Sequence, residues 1–304
     1  MKSSHQAYPL GLRPVEGRNA RLRKALEAGL LVAPGCYDCI TGRLVQQAGF
    51  NATYVTGSGI SMSALGAPDV GLMSYSEVMD RVKRIADVIE IPVIADIDTG
   101  YGGPLNVIRC VREMEAGGVS AVQIEDQAWP KKCGHEPGRK LVDTQEMVGR
   151  IKAAVDARRD ENFVIIARTD ARSTEGLDEA IDRANLYAEA GADVLFVESP
   201  ESLDEMRRVT AEIAKPTLAN MVEGGRTPIP PLKDLEAIGY RLAIFPNSLT
   251  RTVARMGARM LEELGGKGSL AGFSDNMVDH RGLWNLFDYP GWTALEERFT
   301  SDGK

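Results

Sequence analysis

Amphipathic helical stretches alternate with short apolar runs along most of the chain. Four of the runs follow a helix that ends in Ala-Gly or a close variant, and glycine is typical of the turn from a helix into the next strand. Apolar strands separated by amphipathic helices indicate parallel strands covered by helices. The predicted strands are Leu31 to Ala33, Ala52 to Val55, Pro92 to Ala95, Ala121 to Ile124, Phe163 to Ile166, Val194 to Val197, Pro216 to Leu218 and Leu242 to Phe245.

The number and spacing of these strands favour a TIM (β/α)8 barrel, an α/β fold that typically takes about 250 residues. A doubly wound open sheet is the competing fold, but Pro34-Gly35-Cys36 after the first strand is not its glycine-rich phosphate turn. We expect a single domain over residues 1–304, with an N-terminal arm and helix to about residue 27, the barrel core from about 28 to 250 and C-terminal helices from about 251 to 304.

Composition and charge narrow the class of protein. The chain has 304 residues, 43% hydrophobic and 26% charged, with a net charge of −7 and no clustered basic face, which argues against nucleic acid as a partner. No apolar run approaches the roughly 18 residues of a membrane helix, and the N-terminus has no signal-peptide pattern. We therefore expect a cytoplasmic protein with no membrane partner.

Polar residues follow seven of the eight predicted strands, where a barrel places its chemistry. Asp96 and Asp98 lie two apart, so both side chains leave the same face of the chain. Two close carboxylates repel unless a cation or a proton lies between them. Together with Glu125, they favour a hard cation such as Mg²⁺; the alternative is a solvated acidic turn before Gly100.

The segment from Lys131 to His135, Lys-Lys-Cys-Gly-His, carries a second candidate chemistry. Nearby positive charge favours the thiolate of Cys133, which could then exchange a proton near neutral pH. Gly134 and the following Pro137-Gly138 predict a mobile loop able to close over a site. The alternative is an ordinary surface turn with a single cysteine.

Three further motifs support or limit these hypotheses. Arg168 closes an apolar strand and could grip a carboxylate, or could form an internal salt bridge with Glu198 or Asp170. The turn from Thr56 to Gly59 could present backbone N–H groups to an anion. The Cys36–Cys39 pair has no second pair, so we interpret both as packing residues.

Taken together, these motifs resemble the isocitrate lyase and phosphoenolpyruvate mutase superfamily, closest to its 2-methylisocitrate and 2,3-dimethylmalate lyases. They run in family order over nearly the whole chain. The segments that carry the resemblance are Ala33 to Asp38, Tyr54 to Gly57, Leu65 to Asp69, Asp96 to Gly102, Ile124 to Gln127, Lys131 to His135 and Ala167 to Asp170.

The resemblance implies a Mg²⁺ or Mn²⁺ site at the barrel mouth and a gating loop with Cys133 as proton donor. It also implies a homotetramer that exchanges C-terminal helices. The implied metal-site residues are Asp69, Asp96, Asp98 and Glu125. The implied catalytic residues are Cys133 and His135, with Tyr54 a candidate for the initial base. The implied substrate-binding residues are Thr56, Gly57, Ser58, Gly134, Arg168, Glu223 and Asn247.

The implied reaction is retro-aldol cleavage of a 2-hydroxy di- or tricarboxylate to a 2-keto acid such as pyruvate and a second carboxylate. Residues 136–142 and 220–228 look closer to dimethylmalate and alkylmalate lyases than to methylisocitrate lyases. Oxaloacetate hydrolases and phosphonopyruvate or carboxyphosphonoenolpyruvate mutases of the same superfamily are alternatives, and a non-catalytic barrel is a third. Aromatic residues between Leu283 and Phe299 must pack on the barrel or on a neighbouring subunit.

Overall fold

The computed structural model describes residues 8–13, 15–134, 136 and 138–300. An eight-stranded parallel sheet runs in the order β6-β5-β4-β3-β2-β1-β8-β7, and a bridge between Leu195 and Thr217 brings β6 next to β7. The predicted TIM barrel is confirmed. The strands are β1 (Leu31–Cys36), β2 (Thr53–Val55), β3 (Val93–Asp96), β4 (Ala121–Glu125), β5 (Val164–Thr169), β6 (Val194–Val197), β7 (Leu218–Asn220) and β8 (Leu242–Phe245).

Helices surround this barrel. Those of the described residues are α1 (Arg18–Ala28), α2 (Cys39–Gln47), α3 (Gly57–Leu65), α4 (Tyr75–Val88), α5 (Pro104–Ala116), α6 (Thr144–Ala157), α7 (Leu177–Glu189), α8 (Leu203–Glu212), α9 (Leu232–Ile238), α10 (Ser248–Lys267), α11 (His280–Leu286) and α12 (Tyr289–Thr300). Short 3-10 helices span Ala171–Ser173 and Ala271–Asn276. None of these helices is long and apolar enough to cross a membrane.

Two buried apolar layers hold the barrel together. The inner layer joins strand side chains such as Leu31, Ile166 and Leu242 with Leu22 and Leu26 of α1. The larger outer layer lies between the sheet and the surrounding helices. Because both faces of every strand are covered, the strands read as continuous apolar runs in the sequence.

Gly35 lets the chain close the barrel near the site. A Cβ atom at Gly35 would lie 2.6 Å from the Cα atom of Pro246, just beyond β8. Such a separation is too short for two carbon atoms that are not bonded, so a side chain here would force β1 and β8 apart. The absence of a side chain therefore brings the end of β8 against β1.

The C-terminal helices pack loosely on the barrel. None of the described residues of α10, α11 or α12 is buried. Leu261 is 61% exposed, Trp284 44%, Trp292 43% and Phe299 69%. This arrangement leaves a large apolar surface on α10 to α12 facing outward.

Candidate active site

The carboxyl ends of the strands surround a narrow cavity that contains most of the predicted site residues. It encloses a free volume of about 40 Å³, enough for only a few water molecules. It is lined by Tyr54, Thr56, Ser58, Asp69, Asp96, Cys133, Gly134, Arg168, Phe196, Glu198, Asn220, Val222, Ile244, Pro246 and Asn247. Residues 128–134, 136 and 138–140, here called the lid, lie next to it and contribute Cys133 and Gly134 to its wall.

Asp96 and Asp98 lie side by side beneath the N-terminus of α3. A Cβ atom at Gly57 would lie 3.1 Å from Asp96 Oδ2 and 3.6 Å from Asp98 Oδ1, so both carboxylates reach the same point. Burial raises the pKa of Asp96 and of Asp98. Carboxylates this close need a cation nearby to stay ionised together.

Lys131 of the lid supplies one such positive charge. Its Nζ atom lies 2.7 Å from Asp98 Oδ1 and pairs with Asp69, and its side chain is only 3% exposed. Although burial opposes it, the charges of Asp98 and Asp69 raise the pKa of Lys131 well above its ordinary value. The sequence indicated Lys131 only as a neighbour of the thiol, and the fold makes it an ion-pair partner of the acidic residues.

The acidic residues Asp96, Asp98 and Glu125 could serve as ligands of a metal ion that takes few protein ligands. Within the described ranges, no group of three or more His, Cys, Asp or Glu side chains is arranged to hold an ion unaided. Mg²⁺ usually takes one or two carboxylates and completes its shell with water and substrate oxygens. Asp96 and Asp98 fit that requirement, and buried Glu125 Oε1, which accepts no hydrogen bond from any described residue, adds a further oxygen nearby.

Tyr54, the predicted candidate for the initial base, lies in the cavity wall. Its hydroxyl donates a 2.5 Å hydrogen bond to Gln123 Oε1. Burial, with a contribution from the Asp96 carboxylate, raises the pKa of this phenol well above its ordinary value. The Tyr54 hydroxyl is thus directed at Gln123 in this arrangement, and its role as the initial base stays a prediction.

The turn after β2 forms the start of α3. Thr56 caps the helix by accepting a hydrogen bond from the Gly59 backbone N–H at 3.4 Å, and the side chains of Thr56 and Ser58 are buried. The first N–H groups of a helix attract anions. Thr56, Gly57 and Ser58 therefore lie where the sequence placed them, next to Asp96.

Arg168 lies at the centre of the cavity wall and is almost completely buried. Its Nη1 atom lies 3.2 Å from Glu125 Oε2, and its Nη2 atom lies 2.9 Å from Asp170 Oδ1 and 3.4 Å from Glu198 Oε2. The guanidinium also lies 5.1 Å from the centre of the Phe196 ring. The salt-bridge role predicted for Arg168 is thus present, and its position on the cavity leaves it able to face a substrate carboxylate.

Hydrogen bonds to residues just beyond β4 and β6 hold the lid against the barrel. Gln127 donates to the Lys132 carbonyl and accepts from the Lys132 N–H, both at 2.9 Å. Ser199 Oγ donates to the Gly134 carbonyl at 3.3 Å. Cys133 therefore lines the cavity beside Gly134. His135, which the sequence assigned to the catalytic group, lies outside the described residues.

Of two residues predicted to bind the substrate, Asn247 and Glu223, only Asn247 lines the cavity. Asn247 lines the cavity, and its buried Oδ1 atom accepts no hydrogen bond from any described residue. Glu223 is exposed and accepts a 2.5 Å hydrogen bond from Ser248 instead of lining the cavity. The role of Glu223 in substrate binding stays a prediction.

Comparison with known proteins adds to this geometry. The protein family described as phosphoenolpyruvate phosphomutase matches residues 22–264. The chain is 48% identical over 260 residues to 2,3-dimethylmalate lyase of Eubacterium barkeri, covering 85% of this chain and 90% of that one. It is 41% identical over 286 residues to probable 2-methylisocitrate lyase 2 of Corynebacterium glutamicum, covering 94% and 92%.

Solved structures give the same picture. A crystal structure of 2,3-dimethylmalate lyase superposes with a TM-score of 0.88 at 37% identity, covering 94% of this chain and 97% of that one. Oxaloacetate acetylhydrolase with 3,3-difluorooxalacetate gives 0.86 at 34% identity, covering 97% and 98%. Phosphonopyruvate hydrolase with oxalate and Mg²⁺ gives 0.84 at 30% identity, covering 93% and 99%.

Proposed function

We propose that this chain, which belongs to the phosphoenolpyruvate mutase and isocitrate lyase superfamily, cleaves 2-hydroxy dicarboxylates of the 2,3-dimethylmalate class in a Mg²⁺-dependent reaction. The enzyme is a carbon–carbon lyase of that superfamily. Pyruvate or another 2-keto acid would be one product, and a second carboxylate the other. The 48% identity to a 2,3-dimethylmalate lyase supports this substrate class over 2-methylisocitrate.

One observation carries the proposal: the lid thiol, Arg168 and the acidic residues face the same cavity. Cys133, Arg168 and Asp96 all line it, and the start of α3 borders it at Thr56. A 2-hydroxy dicarboxylate has two carboxylates and one hydroxyl to be held. Arg168 and the N–H groups of α3 suit the carboxylates, while the acidic residues suit a cation that binds the hydroxyl.

Asp96 and Asp98 would hold the Mg²⁺ ion, with Glu125 and Asp69 as further acidic residues beside them. When bound, the ion supplies positive charge that stabilises the oxygen of the developing 2-keto acid. Asp96 is half-buried at the end of β3 and faces the cavity, which gives an ion access to substrate oxygens. Lys131 would remain paired with Asp69 and Asp98 on the lid side.

Side chains of the protein would supply the proton for the carbanion and hold the substrate carboxylate. When the carbon–carbon bond breaks, the substrate hydroxyl passes its proton to one of the acidic residues around Asp96 and becomes the keto oxygen of the first product. The electron pair of the broken bond stays on the carbon next to the departing carboxylate. The Cys133 thiol then gives its proton to that carbon, and the closed lid excludes water that would otherwise compete. Arg168 holds a carboxylate in place throughout by hydrogen bonding.

A substrate screen tests the proposal. We expect purified protein with Mg²⁺ to turn over 2,3-dimethylmalate or a related 2-alkylmalate at the highest kcat/KM, and to lose that activity in EDTA. Release of 2-keto acid, followed by a coupled lactate dehydrogenase assay, measures both, and release of oxalate or of phosphate measures turnover of oxaloacetate or of phosphonopyruvate. Methylisocitrate, oxaloacetate and phosphonopyruvate serve as competing substrates. Turnover of oxaloacetate or phosphonopyruvate alone would overturn the lyase assignment in favour of a hydrolase.

We also propose that C-terminal helices of neighbouring copies cover one another in a homotetramer. The exposed apolar side chains of α10 to α12, among them Leu261, Trp292 and Phe299, provide the surface that needs covering. We expect Leu261→Glu to dissociate the assembly in analytical ultracentrifugation. Leu105→Glu, at a residue 81% exposed on α5, is the matched control and should leave it intact. Wild-type protein that sediments as a monomer at micromolar concentration would contradict the proposal.

A further inference from the structure

A buried carboxylate connects the lid to Arg168. Arg168 donates from Nε to Asp170 Oδ2 at 3.0 Å and from Nη2 to Asp170 Oδ1 at 2.9 Å. Arg139, a lid residue, donates from Nη1 to the same Oδ1 atom. The side chains of Arg139 and Asp170 are 2% and 0% exposed. The Asp170 carboxylate therefore forms buried ion pairs with two guanidinium groups.

Arg139 lies at the C-terminal end of the lid, beside its base. At the base, the Ala128 N–H donates to the Lys140 carbonyl at 2.7 Å, and Gln127 pairs with Leu141 in an antiparallel bridge. Arg139 also donates from Nη2 to Ser173 Oγ, in the short helix after β5. The guanidinium thus attaches this end of the lid to the segment that follows Arg168 in the chain.

We propose that Arg139 is a positioning residue that couples the closed lid to the orientation of Arg168 through Asp170. Arg139 does not line the cavity, so it acts through Asp170 and not by touching a substrate. The inference rests on the proposed function only where it assigns a substrate carboxylate to Arg168. The coupling itself concerns contacts within the chain.

The charges around Asp170 explain why one guanidinium affects the other. Burial favours the neutral acid, but Arg168 and Arg139 lower the pKa of Asp170, so it stays ionised. The Asp170 backbone N–H donates to Asp126 Oδ1 at 2.9 Å, which holds the Asp170 backbone next to the residue that follows β4. Without Arg139, all the positive charge at Asp170 would come from Arg168, which would be held more tightly to Asp170 and be less available to the cavity.

The loss of Arg139 would also release the lid. Charge-assisted hydrogen bonds from the Arg139 guanidinium to Asp170 and Ser173 stabilise the closed lid, and substitution of Arg139 removes them. The lid would keep its contacts at Gln127, Lys131 and Ser199 but lose those at Asp170 and Ser173. Cys133 would then spend more time outside the cavity, where small reagents reach it.

Alkylation of Cys133 measures the lid without any substrate. We expect Arg139→Ala to raise the iodoacetamide alkylation rate of Cys133, followed by mass spectrometry of its peptide, on the order of tenfold. In the presence of Mg²⁺, the Kd of oxalate measured by calorimetry should rise by a similar factor, because Arg168 is misplaced. Arg139→Lys should show smaller increases in the alkylation rate and in the Kd than Arg139→Ala does. Lysine keeps the positive charge but cannot reach Asp170 and Ser173 together.

Two controls separate positioning from general loosening. Arg158→Ala removes a partly buried ion pair, in which Arg158 Nη1 lies 2.8 Å from Asp193 Oδ2, and should leave Cys133 alkylation unchanged. Cys39 is half-buried on α2. Its alkylation rate, measured in the same sample, shows whether the barrel as a whole has loosened. The inference would be overturned if Cys133 of Arg139→Ala were alkylated at the wild-type rate. It would also be overturned if the alkylation rate of Cys39 rose as much as that of Cys133. Because alkylation needs no substrate, failure of the lyase assignment in the substrate screen would leave this result interpretable.

Discussion

Replacement of Cys133 by alanine is expected to lower kcat for 2,3-dimethylmalate by about 10²–10⁴-fold, the usual contribution of a positioned general acid. The thiol lines the cavity beside Arg168, and the lid brings it there. Serine should be no better, because its hydroxyl holds its proton far more tightly than a thiol does. Steady-state release of 2-keto acid measures the loss.

Binding should survive this substitution. Because Asp96, Asp98 and Arg168 are untouched, the Kd of oxalate with Mg²⁺, measured by calorimetry, should change by less than about threefold. Cys39→Ser is the matched control, since Cys39 lies on α2 and its thiol contacts the Arg84 carbonyl at 3.6 Å. If Cys133→Ala keeps the wild-type kcat, another group donates the proton and the proposed mechanism is wrong.

Replacement of Gly134 by alanine is expected to lower kcat about 10²-fold by keeping the lid from seating. A Cβ atom at Gly134 would lie 2.8 Å from Glu198 Oε2 and would overlap Arg168. Both neighbours are buried and bound to other groups, so neither can move aside cheaply. The reacting thiol is next in the chain and would be displaced with the lid.

Two measurements identify the cause of that loss. Iodoacetamide should alkylate Cys133 faster in Gly134→Ala than in the wild type, while the melting temperature should change little. Gly149→Ala is the matched control, because nothing lies within 4 Å of a Cβ atom at that helical position, and it should keep wild-type activity. A Gly134→Ala enzyme with normal kcat would show that catalysis does not require the lid to seat as described.

The strands could be predicted well because each is buried on both faces. The predicted runs at Val194 to Val197 and Leu242 to Phe245 coincide with β6 and β8. Where a strand ends in polar residues, the predicted strand was too short. β5 continues to Thr169, three residues past its predicted end at Ile166. Arg168 and Thr169 still pair with β6, and a hydrophobic pattern gives no signal for polar residues within a strand.

The site could be predicted only where residues are close in sequence or carry a specific motif. Asp96 with Asp98, and the cysteine of the lid, were recognisable in this way. Lys131 and Arg139 were not recognised as ion-pair partners, because Asp69 and Asp170 lie 62 and 31 residues from them along the chain. The exposed position of Glu223 and the hydrogen bond of Tyr54 to Gln123 likewise depend on contacts between different elements.

The sequence by itself determined the barrel, the polar ends of its strands and the thiol on a glycine-containing loop, because periodicity and local motifs act over short stretches of chain. Only the tertiary structure decided which charges meet. It placed Lys131 between Asp69 and Asp98, and it gave Asp170 to two arginines. The physical reason is that ion pairing in a buried site depends on distance and burial, which arise only when the strands close into a barrel and the lid lies over them.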